Sequence, residues 1–206
     1  MKLRVDSMNG FEKRAAQKKL KIMKTTMEML KSWEPKRLRI ADIAKEAGVS
    51  QVTIYNYFGS KEALLSESFK DFIEKAIREF EDYILGGHSL KEIIEYIMTM
   101  ERETYSSLPP ATVKELMIED KEMFHYLEER YTNDVLPLMV KMVEDGKARG
   151  EISSKVSTKG ILSFMGMYMR SSGEMLDEAS KQEDIDAFLE EAIHLFFYGI
   201  CGREQE

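Results

Sequence analysis

The sequence contains few of the residues that support disulfide or membrane structure. It has a single cysteine, Cys201, so no disulfide can form within the chain, and a reducing compartment is expected. No apolar run is long enough to span a bilayer, and no secretory signal follows the basic N-terminus. Together these absences predict a cytoplasmic protein with no membrane partner.

Sequence motifs of catalysis are also missing. There is no glycine-rich phosphate loop, and no serine, cysteine or histidine stands in a recognisable nucleophile motif. His125 can share a helix face with Glu128 and Glu129, but nothing identifies the further ligands that a metal site needs. A solvated face explains these three residues better. We therefore predict a protein that is not an enzyme and holds no metal or cofactor.

A short helix and a tight turn are predicted after residue 39. Apolar Ile40, Ile43, Ala44 and Ala47 recur at helical spacing, and Gly48 can take the left-handed conformation that ends a helix. The sequence then predicts a second short helix within a few residues. This spacing is typical of a DNA-reading helix-turn-helix.

The second short helix is predicted over Gln51–Phe58, with Ser50 as its N-cap. Ile54 and Phe58 are one turn apart and should face the core. The remaining polar positions are then left for a polar partner: Gln51, Thr53, Tyr55, Asn56 and Tyr57. A solvated helix has no need of two tyrosines there.

The segment Ile40–Leu65 resembles the DNA-binding end of the TetR family of bacterial transcriptional regulators. The resemblance rests on IAKEAGVS, YNYF and SKEALL, in this order and without gaps. It covers about the first third of the chain, with a weaker echo at MVEDGKARGEI. It implies an all-α fold with two domains: residues 1–60 form a three-helix DNA-binding domain, and residues 61–206 form a helical effector-binding and dimerisation domain.

The net charge divides along the chain in a way that fits this resemblance. Residues 1–61 carry 14 Lys and Arg against six Asp and Glu, whereas residues 62–206 carry 16 against 31. A basic domain displaces the counterions condensed on DNA, while an acidic domain is repelled by phosphates. A charge run alone usually means a solvated face, but beside a helix-turn-helix it favours nucleic-acid binding.

The resemblance assigns DNA contacts to individual residues. Base contacts fall on Gln51, Val52, Thr53 and Asn56. Glutamine can bind adenine through two hydrogen bonds, and the threonine methyl group can meet a thymine methyl group. Val52 adds only apolar contact, and Asn56 either reads an adenine or faces solvent. Phosphate contacts fall on Tyr55, Tyr57 and Lys61.

Two positions depart from the family pattern. Arg39 stands where a threonine commonly caps the first helix of the motif, so that helix lacks this cap and gains a basic side chain for a phosphate contact. Ala41 stands where some relatives place a long side chain that reaches a base. Recognition of the DNA sequence must then depend mainly on Gln51, Thr53 and Asn56.

Helix boundaries elsewhere follow from local signals. The first helix is expected over about Glu12–Trp33, with Leu20 among its core-facing residues. A fourth helix is expected to begin after Ser60, its N-cap, and to extend to the break at Gly86. Capping-box spacing predicts helix starts at two pairs, Ser89 with Glu92 and Thr112 with Glu115. Pro137 either lies in a helix's first turn or kinks one long helix over residues 121–149. There is no strand signal.

The last two predicted helices, about Ser157–Ala179 and Asp184–Ile200, carry more apolar surface than a monomer's edge needs. The resemblance implies that they pair with a second copy in a four-helix bundle. Alternatively, they close the subunit's own core. The predicted homodimer contacts are Ile161, Phe164, Tyr168, Phe188, Ala192, Leu195, Phe196 and Gly199.

An effector pocket in the central region is implied by the resemblance. The chain has 15 methionines, and flexible methionine suits either an adaptable apolar pocket or ordinary packing. The candidate lining residues are Tyr96, Met100, Tyr105, Met117, Met139, Met142, Met165 and Met169. An apolar ligand that is neutral or cationic fits the acidic domain best.

Two functions remain open at this stage. The first is a dimeric repressor that a small apolar ligand releases from a near-palindromic double-stranded DNA operator. The second is a DNA-bound protein of the same fold that recruits a protein partner and has no small-molecule effector. An enclosed apolar cavity in the second domain would favour the first, and a filled core with an exposed apolar patch the second.

Overall fold

The computed structural model describes residues 10–171 and, after them, residues 174, 178, 181, 182, 184, 187, 188, 191, 194 and 195. These residues contain α-helices, two π-helical segments and no strand, which confirms the all-α prediction. The helices are α1 Gly10–Leu30, α2 Ile40–Ala47, α3 Gln51–Phe58, α4 Lys61–Leu85, α5 Leu90–Ser107, α6 Pro110–Lys114, α7 Lys121–Arg130, α8 Leu136–Ala148 and α9 Thr158–Arg170.

The chain divides into two compact units between Glu74 and Lys75, inside α4. The boundary predicted from the sequence, between residues 60 and 61, lies earlier, at the start of α4. The first half of α4 belongs to the N-terminal unit, and it buries Leu64, Leu65 and Phe69. A boundary at Ser60 would therefore leave these three apolar side chains outside the domain to which they belong.

Helix α1 buries one stripe of side chains in the N-terminal unit. Ile22, Met23 and Leu30 are buried, but Leu20 is exposed, so the prediction that Leu20 faces the core is wrong. The buried stripe includes Ile22 and Thr26, four residues apart, which turns Leu20 toward solvent.

The core of the second unit joins the end of α4 to α5, α8 and α9. Its buried members are Phe80, Ile84, Leu90, Ile93, Ile97, Leu138, Met139, Met142, Val143, Ile152 and Ile161. Ile161 is only 2% exposed here. A partner subunit cannot gain much from a side chain that its own subunit already covers, so the structure places Ile161 in this core and corrects its assignment to the dimer interface.

Pro137 lies within a helical stretch that continues from α7 through a π-helical segment, Tyr131–Val135, into α8. The backbone at Arg130, Val135 and Leu136 is right-handed helical, so no new helix is capped there. Proline lacks an N–H group, and in an α-helix its ring collides with the carbonyl four residues earlier. The wider π turn just before Pro137 accommodates both effects. The chain is therefore helical without a break from α7 to α8, as in the long-helix alternative, and Pro137 also lies in the first turn of α8.

One of the two predicted capping boxes is confirmed. The Ser89 backbone N–H donates to Glu92 Oε2 at 2.8 Å, and the Glu92 N–H donates to Ser89 Oγ at 3.3 Å. These serine hydrogen bonds also lower the pKa of Glu92. The box at Thr112 is wrong because α6 begins at Pro110, whose fixed φ suits a first helical turn.

Thr112 instead lies inside α6, fully buried, and its Oγ1 has no hydrogen-bond partner in the described structure. Thr112→Val removes this hydroxyl at nearly constant shape and is expected to raise the free energy of unfolding by about 1 kcal/mol. Thr26 is the matched control, because it is equally buried but its hydroxyl donates to the Ile22 carbonyl at 2.9 Å. Thr26→Val should lower stability by about 1 kcal/mol. Urea unfolding at one protein concentration measures both, and shifts of the same sign would contradict the assignment.

Candidate nucleic-acid interface

The turn between α2 and α3 has the geometry that the sequence predicted. Gly48 has φ 67° and ψ 40°, the left-handed conformation that glycine adopts without strain. The N–H groups of Gly48 and Val49 donate back to the last turn of α2, the latter to the Ala44 carbonyl at 2.9 Å. These bonds satisfy carbonyls that the helix end would otherwise leave open. The chain therefore leaves α2 in one defined direction.

The start of α3 is fixed by its predicted cap. Ser50 Oγ accepts a hydrogen bond from the Thr53 N–H at 3.1 Å, and the two hydroxyls lie 2.9 Å apart. Ile54 and Phe58 are buried and hold the inner face of the helix against the unit. With its start capped and its inner face packed, the rotation of α3 about its axis is determined.

This rotation presents the predicted base-reading residues outward. Gln51 and Asn56 are exposed, and Val52 is 66% exposed although it is apolar. Thr53 is half-buried, and its hydroxyl already bonds to Ser50, which leaves its methyl group for an outside contact. The outward face of α3 thus combines an amide, apolar methyl groups and a second amide, the groups that read base edges in a major groove.

Two of the predicted phosphate-binding residues lie at the end of this face. Tyr55 is half-exposed, and Tyr57 is partly buried beside Phe58. Their hydroxyl groups are the type of donor that binds backbone phosphates in protein–DNA complexes.

Lys61 begins α4, and its Nζ donates to the Lys36 carbonyl at 3.4 Å. Ser60 Oγ accepts the Ala63 N–H at 3.0 Å, which confirms Ser60 as the N-cap. The ammonium group and the positive end of the helix dipole are therefore close together. This combination is well suited to a phosphate.

Arg39 has a partner that the sequence analysis missed. As predicted, it forms no side-chain cap on α2. Its guanidinium instead donates two hydrogen bonds to the Asp42 carboxylate, at 2.8 and 3.0 Å. This pairing raises the pKa of Arg39 and lowers the pKa of Asp42. A phosphate at Arg39 must therefore compete with Asp42, and the three-residue spacing of the two charges was the signal.

The structure does not gather the predicted effector residues into one pocket. Met139 and Met142 are buried in the second unit's core, so packing explains both. Tyr96 stacks on Tyr83 with ring centroids 4.0 Å apart, and Met100 and Met117 are half-buried. The side chains of the other three lie outside the described part: Tyr105, Met165 and Met169.

The predicted dimer residues that the structure describes are partly available to a partner. On α9, Phe164 is 44% exposed. Met167, which the sequence analysis did not assign to the interface, is 59% exposed on the same helix. Leu195 is exposed and Phe188 half-buried. The remaining predictions fall outside the described residues or side chains: Tyr168, Ala192, Phe196 and Gly199.

The described residues contain neither a metal-binding cluster nor a membrane-spanning helix. No group of three or more His, Cys, Asp or Glu side chains is placed to hold a metal ion among them. None of the described helices combines the length and apolar character needed to cross a membrane.

A capped, outward-facing α3 after a tight glycine turn, in a basic unit, defines a helix-turn-helix protein. Residues 22–67 match the family model described as bacterial regulatory proteins, tetR family. The match spans the helix-turn-helix and the adjoining parts of α1 and α4, so this part of the chain is similar to the DNA-binding part of TetR-family regulators.

Similarity to individual proteins extends beyond the motif. The chain is 27% identical over 119 residues to the HTH-type transcriptional regulator UidR of Escherichia coli strain K12, covering 56% of this chain and 59% of UidR. It is 24% identical over 132 residues to the HTH-type transcriptional repressor KstR2 of Rhodococcus jostii strain RHA1, covering 61% and 63%. The aligned part thus spans about three fifths of either relative.

The fold is also similar to that of a solved regulator. The transcriptional regulator FadR from Bacillus subtilis, in complex with stearoyl-CoA, superposes with a TM-score of 0.63 at 20% identity. The match covers 87% of this chain and 98% of FadR. This likeness extends over both units of the chain and supports the same helical fold.

Proposed function

We propose that this protein is a dimeric transcriptional repressor that binds a near-palindromic DNA operator and is released from it by a small apolar ligand. The outward face of α3 is the observation that carries the proposal. It presents Gln51, Val52 and Asn56 to the outside, while Ser50 caps the helix and Ile54 anchors it. Exposed amides beside an apolar group suit base edges better than bulk water.

A second copy is needed for a two-half-site operator, and α9 supports that part of the proposal. Exposed residues recur at spacings of three and four along one side of α9 and the residue that follows it: Gly160, Ser163, Phe164, Met167 and Ser171. Small residues allow helices to approach closely, and the two large apolar side chains gain free energy when they are covered. We propose that this face packs against its twofold mate.

The ligand is proposed to be apolar and neutral or cationic. The FadR neighbour holds stearoyl-CoA, which supports an apolar chain as one occupant of this fold. Residues 62–206 of this chain are strongly acidic, and an anionic group would be repelled there. We therefore propose a ligand that lacks the phosphate groups of a CoA ester.

Release from DNA requires that the ligand bind the dimer arrangement that cannot bind DNA more tightly than the arrangement that can. A ligand with equal affinity for both arrangements would not shift the equilibrium between them. Helix α4 starts beside the DNA-reading residues and continues into the second unit. We propose that a ligand-dependent tilt of α4 changes the distance between the two recognition helices of the dimer.

The proposal is tested by selecting duplexes from a random-sequence pool with the full chain, and by screening apolar compounds by thermal shift. The selected duplex should be near-palindromic, with half-site centres about 34 Å apart or somewhat more. A ligand should weaken its binding by a coupling of roughly 1–3 kcal/mol, and the duplex must weaken ligand binding by the same factor. A ligand that binds the second unit without changing DNA affinity would favour the partner-recruiting alternative.

Lys61→Ala is expected to weaken binding to every duplex to the same degree. The reason is that a phosphate contact releases counterions but reads no sequence. The slope of log affinity against log salt should fall by about one. Fluorescence anisotropy across a salt series measures this slope. Lys31→Ala, which removes the same charge from the residue that follows α1, should change the slope less. An equal change would contradict a phosphate contact at Lys61.

A further inference from the structure

Lys19 of α1 contacts two other elements of the N-terminal unit. Its Nζ lies 5.2 Å from the centroid of the Phe58 ring, at the end of α3. The same ammonium forms an ion pair with Glu67 of α4, with Nζ and Oε2 2.5 Å apart. One side chain therefore touches both the recognition helix and the helix that leads into the second unit.

The contact with Phe58 acts on the end of α3 that no side chain caps. Ser50 fixes the first turn of the helix, whereas at its last turn Gly59 donates to the Tyr55 carbonyl through the backbone alone. A cation over an aromatic face is attracted by the ring quadrupole. Phe58 is itself buried, so Lys19 covers a ring that already packs in the unit.

Glu67 keeps the ammonium group over the ring. Both side chains are partly exposed, at 37% for Lys19 and 41% for Glu67, so solvent screens the pair. Its contribution to overall stability is therefore small. Its geometric effect is larger, because the pair links the last turn of α3 to a defined point on α4.

We propose that Lys19 is a positioning residue for DNA reading, which sets the angle of α3 relative to the first half of α4 through Phe58 and Glu67. The inference rests on the proposed DNA-binding function and deepens it. Lys19 does not act as a phosphate contact in this proposal, because its ammonium is already paired. A movement of α4 would reach the recognition helix through this link.

Four variants separate positioning from simple charge. K19M keeps the length of the side chain and removes the ammonium, and K18M makes the same change one position earlier, where the side chain is exposed. E67Q removes the ion-pair partner, and E62Q makes the same change at an exposed position in the first turn of α4. K19R retains a cation that can stack on Phe58 and should rescue function.

The measured quantity is the ratio of affinities for the selected duplex and a scrambled duplex of equal length, by fluorescence anisotropy. K18M should weaken both duplexes alike and leave the ratio unchanged. K19M should lower the ratio by about three- to tenfold, the scale of one partly exposed cation–π contact and one ion pair. E67Q should also lower this affinity ratio, even though the loss of a negative charge should raise the affinity for both duplexes.

E67Q separates positioning from charge, because loss of a negative charge should strengthen binding to any DNA, whereas loss of positioning should lower the affinity ratio. If E67Q and E62Q both strengthen binding to the two duplexes equally, or if K19M and K18M change the ratio alike, the positioning proposal is overturned. Thermal unfolding of each variant identifies a loss of folding, and E67Q keeps the test decisive if K19M unfolds. Failure of the wild type to enrich any sequence would overturn the proposed function too, whereas enrichment with equal variants overturns only the inference.

Discussion

Gln51→Ala is expected to weaken binding to the selected duplex by about 1–3 kcal/mol and to relax discrimination at one base pair. Gln51 is the first residue of α3 and is exposed, so its amide is free to make two hydrogen bonds to an adenine edge. Truncation to alanine removes both bonds and leaves the base edge without a partner. Anisotropy titrations against duplexes substituted one base pair at a time measure the loss.

Gln17→Ala is the matched control, because Gln17 is an exposed glutamine on α1 of the same unit. It should leave both affinity and discrimination near their wild-type values. If Gln51→Ala instead weakens selected and random duplexes by the same factor, Gln51 contacts the DNA backbone and the base-reading assignment fails.

Phe164→Glu is expected to convert the proposed dimer into monomer. The substitution would place an unpaired carboxylate at the centre of the exposed α9 face, and in a twofold interface each subunit contributes one copy. An uncompensated buried charge costs about 3 kcal/mol or more, which is at least a hundredfold in the dimer dissociation constant. Light scattering over a micromolar concentration series measures the mass directly.

Ser154→Glu supplies the control for added charge. Ser154 is exposed in the turn before α9, so a glutamate there should leave the dimer intact. A wild-type protein that is monomeric at micromolar concentration would refute the interface, as would a Phe164→Glu variant with unchanged mass. If Phe164→Glu abolishes the dimer and Ser154→Glu does not, the result supports α9 as the dimer interface.

The DNA-reading unit could be predicted from sequence because its signals are local. Gly48 and Ser50 act on the backbone within a few residues, and the observed α2 ends and α3 begins where they indicate. Local signals failed where two of them competed. Thr112 has capping-box spacing with Glu115, but Pro110 starts the helix two residues earlier.

Longer-range contacts could not be predicted in the same way. The Arg39–Asp42 pair is readable from its spacing, but Lys19 meets Phe58 only after α1 and α3 have packed. Methionine side chains give even less information, because their shape suits both a core and a pocket. Met139 and Met142 are core residues because α8 packs in the same buried cluster as residues of α5, which the sequence alone does not show.

The π turn before Pro137 has a consequence for the phase of the helix. Each residue of an α-helix turns the chain by about 100°, and a π turn accommodates one residue more than an α turn does. The apolar faces of α7 and α8 are therefore offset relative to those of one uninterrupted α-helix. Loss of the extra residue alone would rotate Met123 away from its buried position and return the Pro137 ring to its collision with the Asn133 carbonyl. The additional residue thus makes the proline tolerable at this position.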